Sequence, residues 1–391
     1  MNSPTPLEQL LKLATESRQA TIGLPASKNR AEKRFPLTPE VAGMLVERGF
    51  SVKIEAGAAE PIHYTDAAYS RLGATVVSRA ETLRCDIVIH PAALSEADAR
   101  GLKRGCLLLT FLHPEQQTPA AIHYLLDKSV TAIALDHIAD DEGRRPFADI
   151  LHEIDGRASI AIASSLLADA IHGKGILLGG VAGVVPCEVT IIGSDIAGCA
   201  AARSATGLGA TVRMFDNDAY RLRRAINDLG PGVIASTLHP RVFESALRSA
   251  DIVIGCCEGG RHSIDQSLVD VMKRGVITFD LCPLPQPMFP SMPQIDLAQA
   301  SPFDNANDGS RRVCYVNAGN AVPRTAAMAL GDTLLTMIDN IVACDSTVNA
   351  LKLRPELRRA AYTFIGRAVN PAIAAIVGQR PVDISLLLQF T

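Results

Sequence analysis

The chain has 391 residues, 48% of them hydrophobic and 20% charged, with a formal net charge of −3. That length allows two ordinary domains with buried cores, and the apolar-to-charged balance is that of a soluble globular chain. Without a long basic or acidic block there is no footprint for nucleic acid or an anionic membrane surface, so a small molecule is the expected ligand.

In chain order, "MNSPTPLEQLLKLATESRQ" reads as an amphipathic helix without the basic start and cleavage site of a secretory signal. No apolar run reaches the roughly 18 residues needed to span a bilayer, and the cytoplasm is the expected compartment. The segments "ATIGL", "SVKIEAG", "ATVVS", "DIVIH", "CLLLTFL" and "TAIALD" read as short buried strands. Helical patterns lie between them. In "TPEVAGMLVERG", Thr38 is placed as an N-cap, Pro39 as the first helical residue and Gly49 as the stop. After residue 174 the alternation resumes with "GILLGG", "EVTIIG", "TVRMFD", "VIAST", "DIVIGCC", "VITFD" and "RVCYVN". Two alanine-rich helical stretches, "GRASIAIASSLLADAIHG" and "PRTAAMALGDTLLTMIDNIV", flank that second series as buried connectors. The tail beyond them reads as one apolar helical pattern packing on the first domain, and its end, "DISLLLQF", as a candidate subunit contact. The nine cysteines include no C-x-x-C and no metal-ligand spacing, so buried thiols are expected, Cys256 and Cys257 included, and no metal. Alternating strands and helices in both halves predict an α/β fold of two doubly wound parallel sheets, the second a Rossmann domain inserted into the first. Residues 1–146 with 321–391 form the discontinuous first domain in this reading, and 147–320 the insert.

The stretch "VTIIGSDIAGCAAA" carries the sharpest chemical signal. A strand enters the turn Gly193 to Gly198, a small-residue helix follows, and the next strand ends at Asp216. That is the spacing of a dinucleotide-binding βαβ unit, with an acidic residue about 20 positions on for a ribose 2′-hydroxyl. The alternative for Asp216 is a cap on the helix "NDAYRLRRAI". The middle glycine of the turn is replaced by Asp195. An aspartate there is expected to cap the helix with its own carboxylate and so occupy the seat of a diphosphate. Two like charges about 4 Å apart near a protein surface repel by about 4 kcal/mol before screening.

With "LLLTFLHPE", "GKGILLGGVAGV", "VTIIGSDIAG", "ATVRMFD" and "NAVPRTAAMAL" in this order, the chain resembles alanine dehydrogenase and the NAD(H)-binding alpha subunit of proton-translocating transhydrogenase. The resemblance implies an oligomer, from dimer to hexamer, and an NAD-linked reaction of a small L-amino acid or 2-oxo acid in the cleft between two domains. By the same resemblance Arg34 of "EKRFPLTPE" clamps the substrate carboxylate and His113 of "TFLHPE" shuttles the proton. Both should face one interdomain pocket. Taken singly, Arg34 reads as a surface arginine and His113 as a strand-end histidine; the order of motifs favours the functional reading. The resemblance implies a cofactor-binding set of Gly193, Asp195, Gly198, Asp216, His152 and Asn317.

Four departures accompany the match. Ala92 stands where the family has a lysine, and His90, on the same strand face, is the candidate substitute. Leu284 stands where the family has its catalytic aspartate, while Asp280 matches the preceding one. His152 replaces the serine of an "M-S-E-x-A-G-R" run, and the loop after "IVIGCC" is shortened. Three readings follow: an alanine dehydrogenase-like oxidoreductase with altered contacts, a catalytically impaired relative serving as a binding or interaction subunit, and a transhydrogenase-like NAD(H) subunit with a membrane partner.

Overall fold

The computed structural model describes residues 20–29, 32–171, 173–256, 262–281, 286–303 and 312–390. The expected helix within residues 1–19, Cys257, the loop after "IVIGCC" and Leu284 lie outside them. The chain divides into two compact units. One holds the described residues up to Ala26, Pro36–Leu135 and those from Leu334 onward; the other holds Ser27–Phe35 and Asp136–Thr333. Where the sequence reading set boundaries after 146 and 320, this division assigns Ser27–Phe35 to the second unit and puts the later crossing inside the helix Pro323–Val342.

The first unit contains β1 (Thr21–Leu24), β2 (Ser51–Glu55), β3 (Thr75–Val77), β4 (Ile87–Ile89), β5 (Leu107–Thr110) and β6 (Thr131–Ala134). They lie in the order β3-β2-β1-β4-β5-β6, all parallel. β4, β5 and β6 are buried along their whole length, as their apolar runs demand of strands covered on both faces. Thr38 does cap the helix Pro39–Glu47, its hydroxyl accepting the Val41 N–H, and Gly49 beyond the helix has φ +92°.

In the second unit β7 (Glu188–Ile192), β8 (Thr211–Phe215), β9 (Val233–Ser236), β10 (Ile252–Gly255), β11 (Ile277–Asp280), β12 (Gln294–Asp296) and β13 (Cys314–Val316) form a parallel sheet. The order is β9-β8-β7-β10-β11-β13-β12. The strand order reverses between β7 and β10, the point at which open α/β sheets bind ligands beyond their strand ends. Val189, Ile191, Val212, Met214, Ile252, Ile254 and Phe279 fill the core against the alanine face of the helix Ile196–Gly207.

The structure departs from the sequence reading in three places. "GILLGG" is not a strand: Gly175 and Gly180 take positive φ values of 64° and 63°, and only an isolated bridge, Val181 to Val184, follows. β12 was hidden by its three-residue length. The tail is not one helical run either, because Ile365 and Gly366 make a turn at φ 44° and 71° between β14 (Ala361–Phe364) and β15 (Arg367–Ala368). β14 then pairs antiparallel with β6, so this tail segment closes the edge of the first sheet. Leu386 and Phe390 of the terminal segment remain exposed, and the described cysteines are all free thiols.

Candidate functional site

The turn after β7 keeps a dinucleotide loop's frame and fills it from within. Gly193 has φ +113° and donates its N–H to the Phe215 carbonyl at 2.7 Å. Asp195, in extended backbone, caps the helix Ile196–Gly207: its Oδ1 accepts the Gly198 N–H at 2.9 Å. At Gly198 a Cβ would stand 2.3 Å from the Gly193 carbonyl oxygen and 2.8 Å from Cys256 Sγ, so packing alone demands glycine there.

Asp216, at the end of β8, is 2% exposed and its acceptor capacity is filled. Its Oδ2 accepts the Ser194 N–H at 2.9 Å and the Ser194 hydroxyl at 2.7 Å, while its Oδ1 accepts the Asp218 N–H at 2.9 Å and an Arg221 N–H at 3.1 Å. Burial opposes its charge, but the Asp218 N–H, Ser194 and Arg221 together hold its carboxyl below the usual carboxylate range. Asp216 is not the helix cap; Asp218 is, accepting the N–H groups of Tyr220 and Arg221.

A second cluster surrounds Arg34. Glu32 takes its guanidinium at both Nε and Nη2, and the Glu32 Oε1 also accepts the Arg34 backbone N–H at 2.9 Å. Burial works against the guanidinium charge, but Glu32, with Asp155 adding a smaller effect, raises its pKa above the ordinary arginine value. The neighbouring Lys33 N–H donates to Asn320 Oδ1 at 2.9 Å. Asn320 belongs to the short turn Ala318–Ala321, whose Gly319 N–H donates to Asp155 Oδ1 at 2.6 Å. Asp155 and His152 both lie on the helix Pro146–Ala168. Sequence reasoning passed over Asp155. The signal was available, since "H-E-I-D-G-R" carries aspartate where "S-E-x-A-G-R" has alanine.

In the first unit, His113 follows β5 in left-handed backbone, φ 38° and ψ 66°, immediately before Pro114. Such a conformation is costly for a non-glycine residue and persists where the surroundings impose it. The ring is partly exposed, lies edge-on to Phe111 with centroids 6.0 Å apart, and has Nδ1 3.6 Å from Glu115 Oε1. The contact with His113 holds the Glu115 carboxyl below its ordinary range. His90, the candidate substitute for a lysine, is 3% exposed with Nδ1 2.7 Å from the Ala92 carbonyl. Burial lowers its basicity. The ring folds back on its own chain and presents no exposed cation in place of the lysine. Arg34 belongs to the second unit and His113 and His90 to the first.

Asn317, at φ 58° after β13, donates from Nδ2 to Asp296 Oδ1 at 2.8 Å. Asp280 is buried at the end of β11 and accepts the Met288 N–H at 2.7 Å. A cavity of about 620 Å³ in the first unit is bordered by Arg79, Arg84, Arg100, Lys103 and Lys128. Asp98 and Glu55 pair with Arg79, Asp86 pairs with Lys103, and main-chain carbonyls take up Lys128. Among the described residues no group of three His, Cys, Asp or Glu could hold a metal ion, and no single helix is long and apolar enough to cross a membrane.

The strand orders and the loop after β7 define a two-unit α/β protein with a Rossmann unit. The chain belongs to the alanine dehydrogenase/PNT family of oxidoreductases: the N-terminal domain model matches residues 23–152 and the C-terminal domain model residues 159–371. It is 30% identical over 329 residues to the alanine dehydrogenase of Mycolicibacterium smegmatis, covering 81% of this chain and 86% of that enzyme. A solved L-alanine dehydrogenase superposes with a TM-score of 0.80 at 27% identity, covering 92% of this chain and 99% of the other. A transhydrogenase from Sinorhizobium meliloti, at 20% identity and a TM-score of 0.72 over 90% of this chain and 99% of its own, shares the fold.

Members of the family use NAD. The βαβ frame fits that cofactor, but Asp216, at the family's position for a ribose hydroxyl, already has both oxygens occupied, and the seat of the diphosphate does not fit either. Asp195 satisfies the Gly198 N–H and places a carboxylate at the positive end of the helix, where the anion's charge would rest.

Proposed function

We propose that this chain is an alanine dehydrogenase-like oxidoreductase for a small L-amino acid and its 2-oxo acid, with a grip on NAD(H) loosened by its own Asp195. One observation carries the reading. Each of the two side chains that match the family motifs has a carboxylate two residues away, Glu32 bonded to the Arg34 guanidinium and Glu115 3.6 Å from the His113 ring. Arg34 is thereby fixed as a planar cation for a substrate carboxylate. In this reading His113, partly exposed at a strand end, takes up and returns the proton that moves as an amine is exchanged for an oxo group. The second unit then carries the cofactor frame and Arg34, the first unit contributes His113, and the chain works as a homo-oligomer.

The test is oxidation of NADH in the presence of ammonium and a panel of small 2-oxo acids, with His113→Gln as control. Turnover that the His113 variant abolishes supports the reading. Its absence across the panel at millimolar NADH rejects it. A second reading, a binding subunit without turnover, is favoured by the Asp195 cap and by Ala92 in the lysine's place. It is distinguished by binding of an amino or 2-oxo acid without NADH oxidation.

A further inference from the structure

Asp155 is a carboxylate with one committed oxygen and one open one. Oδ1 accepts the Gly319 N–H at 2.6 Å, and a Cβ on residue 319 would lie 2.5 Å from that oxygen and push the carboxylate aside. Oδ2 accepts no hydrogen bond among the described residues, and the residue is largely but not wholly withdrawn from solvent. The turn Ala318–Ala321 that fixes Oδ1 also fixes the segment bearing Arg34, through the Lys33 N–H on Asn320. Its charged neighbours are Arg34, His152 and Glu32. A guanidinium and an open carboxylate are therefore held beside each other by one short turn.

We propose that Asp155 receives the ammonium group of the amino acid whose carboxylate Arg34 binds, and so sets the preference of the site for an amino acid over its 2-oxo acid. This rests on the proposed amino-acid site. An α-amino acid carries its two opposite charges one carbon apart, and a partly desolvated carboxylate beside a cation matches that pattern. A 2-oxo acid has the same carboxylate and no ammonium, so it gains from Arg34 alone. The family's alanine at this position could make no such contact.

The test is calorimetric titration of the full chain with the twenty common L-amino acids, then with the 2-oxo acid of the best binder, on wild type and Asp155→Asn. The variant keeps an acceptor for the Gly319 N–H. Should it fold poorly, Asp155→Ala takes its place, and thermal melts confirm that the variant used is folded. At least tenfold weaker amino-acid binding, with the 2-oxo acid changed less than twofold, is expected. Unchanged amino-acid binding, or equal losses for both ligands, would overturn the assignment and leave the amino-acid site intact. Wild type that binds the 2-oxo acids but no amino acid overturns it as well. Binding of neither class rejects the proposed function, and this inference with it.

Discussion

The Asp195 carboxylate closes onto the Gly198 N–H at 2.9 Å across the first turn of the helix Ile196–Gly207. A side chain of this protein thus occupies a position that in an open loop awaits a phosphate oxygen. Asp195→Gly removes both the competing acceptor and the opposing charge. NADH affinity should rise at least tenfold, about 1.4 kcal/mol, at a cost of a few tenths of a kcal/mol from the lost cap. Fluorescence titration at low and high salt checks this: the gain shrinks with salt if charge repulsion dominates and persists if the side chain's bulk is the obstacle.

Gly198 lies at the other end of the same contact. Because a Cβ there would meet the Gly193 carbonyl at 2.3 Å, Gly198→Ala must displace backbone. A loss of about 1–3 kcal/mol in unfolding free energy is expected, as for other overpacked sites. Denaturant unfolding without any ligand measures it, and an unchanged midpoint would mean that the turn relaxes freely.

Glu32→Ala should leave the Arg34 guanidinium, whose side chain is 12% exposed, without its bidentate partner. Breaking a buried pair in this way costs about 3–5 kcal/mol. The variant should unfold at lower urea, and carboxylate ligands should bind more weakly because the guanidinium loses its fixed plane. A loss of stability with ligand binding intact would separate Arg34 from the substrate.

Asp155 gives a pH signature. Burial raises its carboxyl above the ordinary range, against the opposing pull of Arg34. The native state therefore keeps this proton to higher pH than the unfolded chain, so the group's contribution to stability falls as pH rises from the ordinary carboxylate range through the raised value. Asp155→Asn removes that slope. The difference in unfolding free energy, variant minus wild type, should grow with pH across this window, and a constant difference would show that the carboxyl titrates normally.

What the sequence disclosed was local. The Asp195 cap, the Thr38 cap and the βαβ unit each depend on residues a few positions apart, or on apolar runs whose period is fixed by the element they form. The Arg34 cluster escaped because it joins residues 32–34, 155 and 319–320, which no spacing rule connects. His90 was misjudged for a local reason: strand alternation gave its face, but its ring lies against the carbonyl of Ala92, past Pro91. The edge strand β14 escaped because four residues between helical patterns carry no periodicity of their own.

NADH oxidation by wild type and Asp195→Gly side by side tests whether this chain is a working amino-acid oxidoreductase with a self-occupied diphosphate seat. With ammonium and the best 2-oxo acid, the account predicts turnover in both, the wild type needing at least tenfold more NADH for half-maximal rate. No turnover in either folded protein, or half-maximal rates at the same NADH concentration in both, would contradict it.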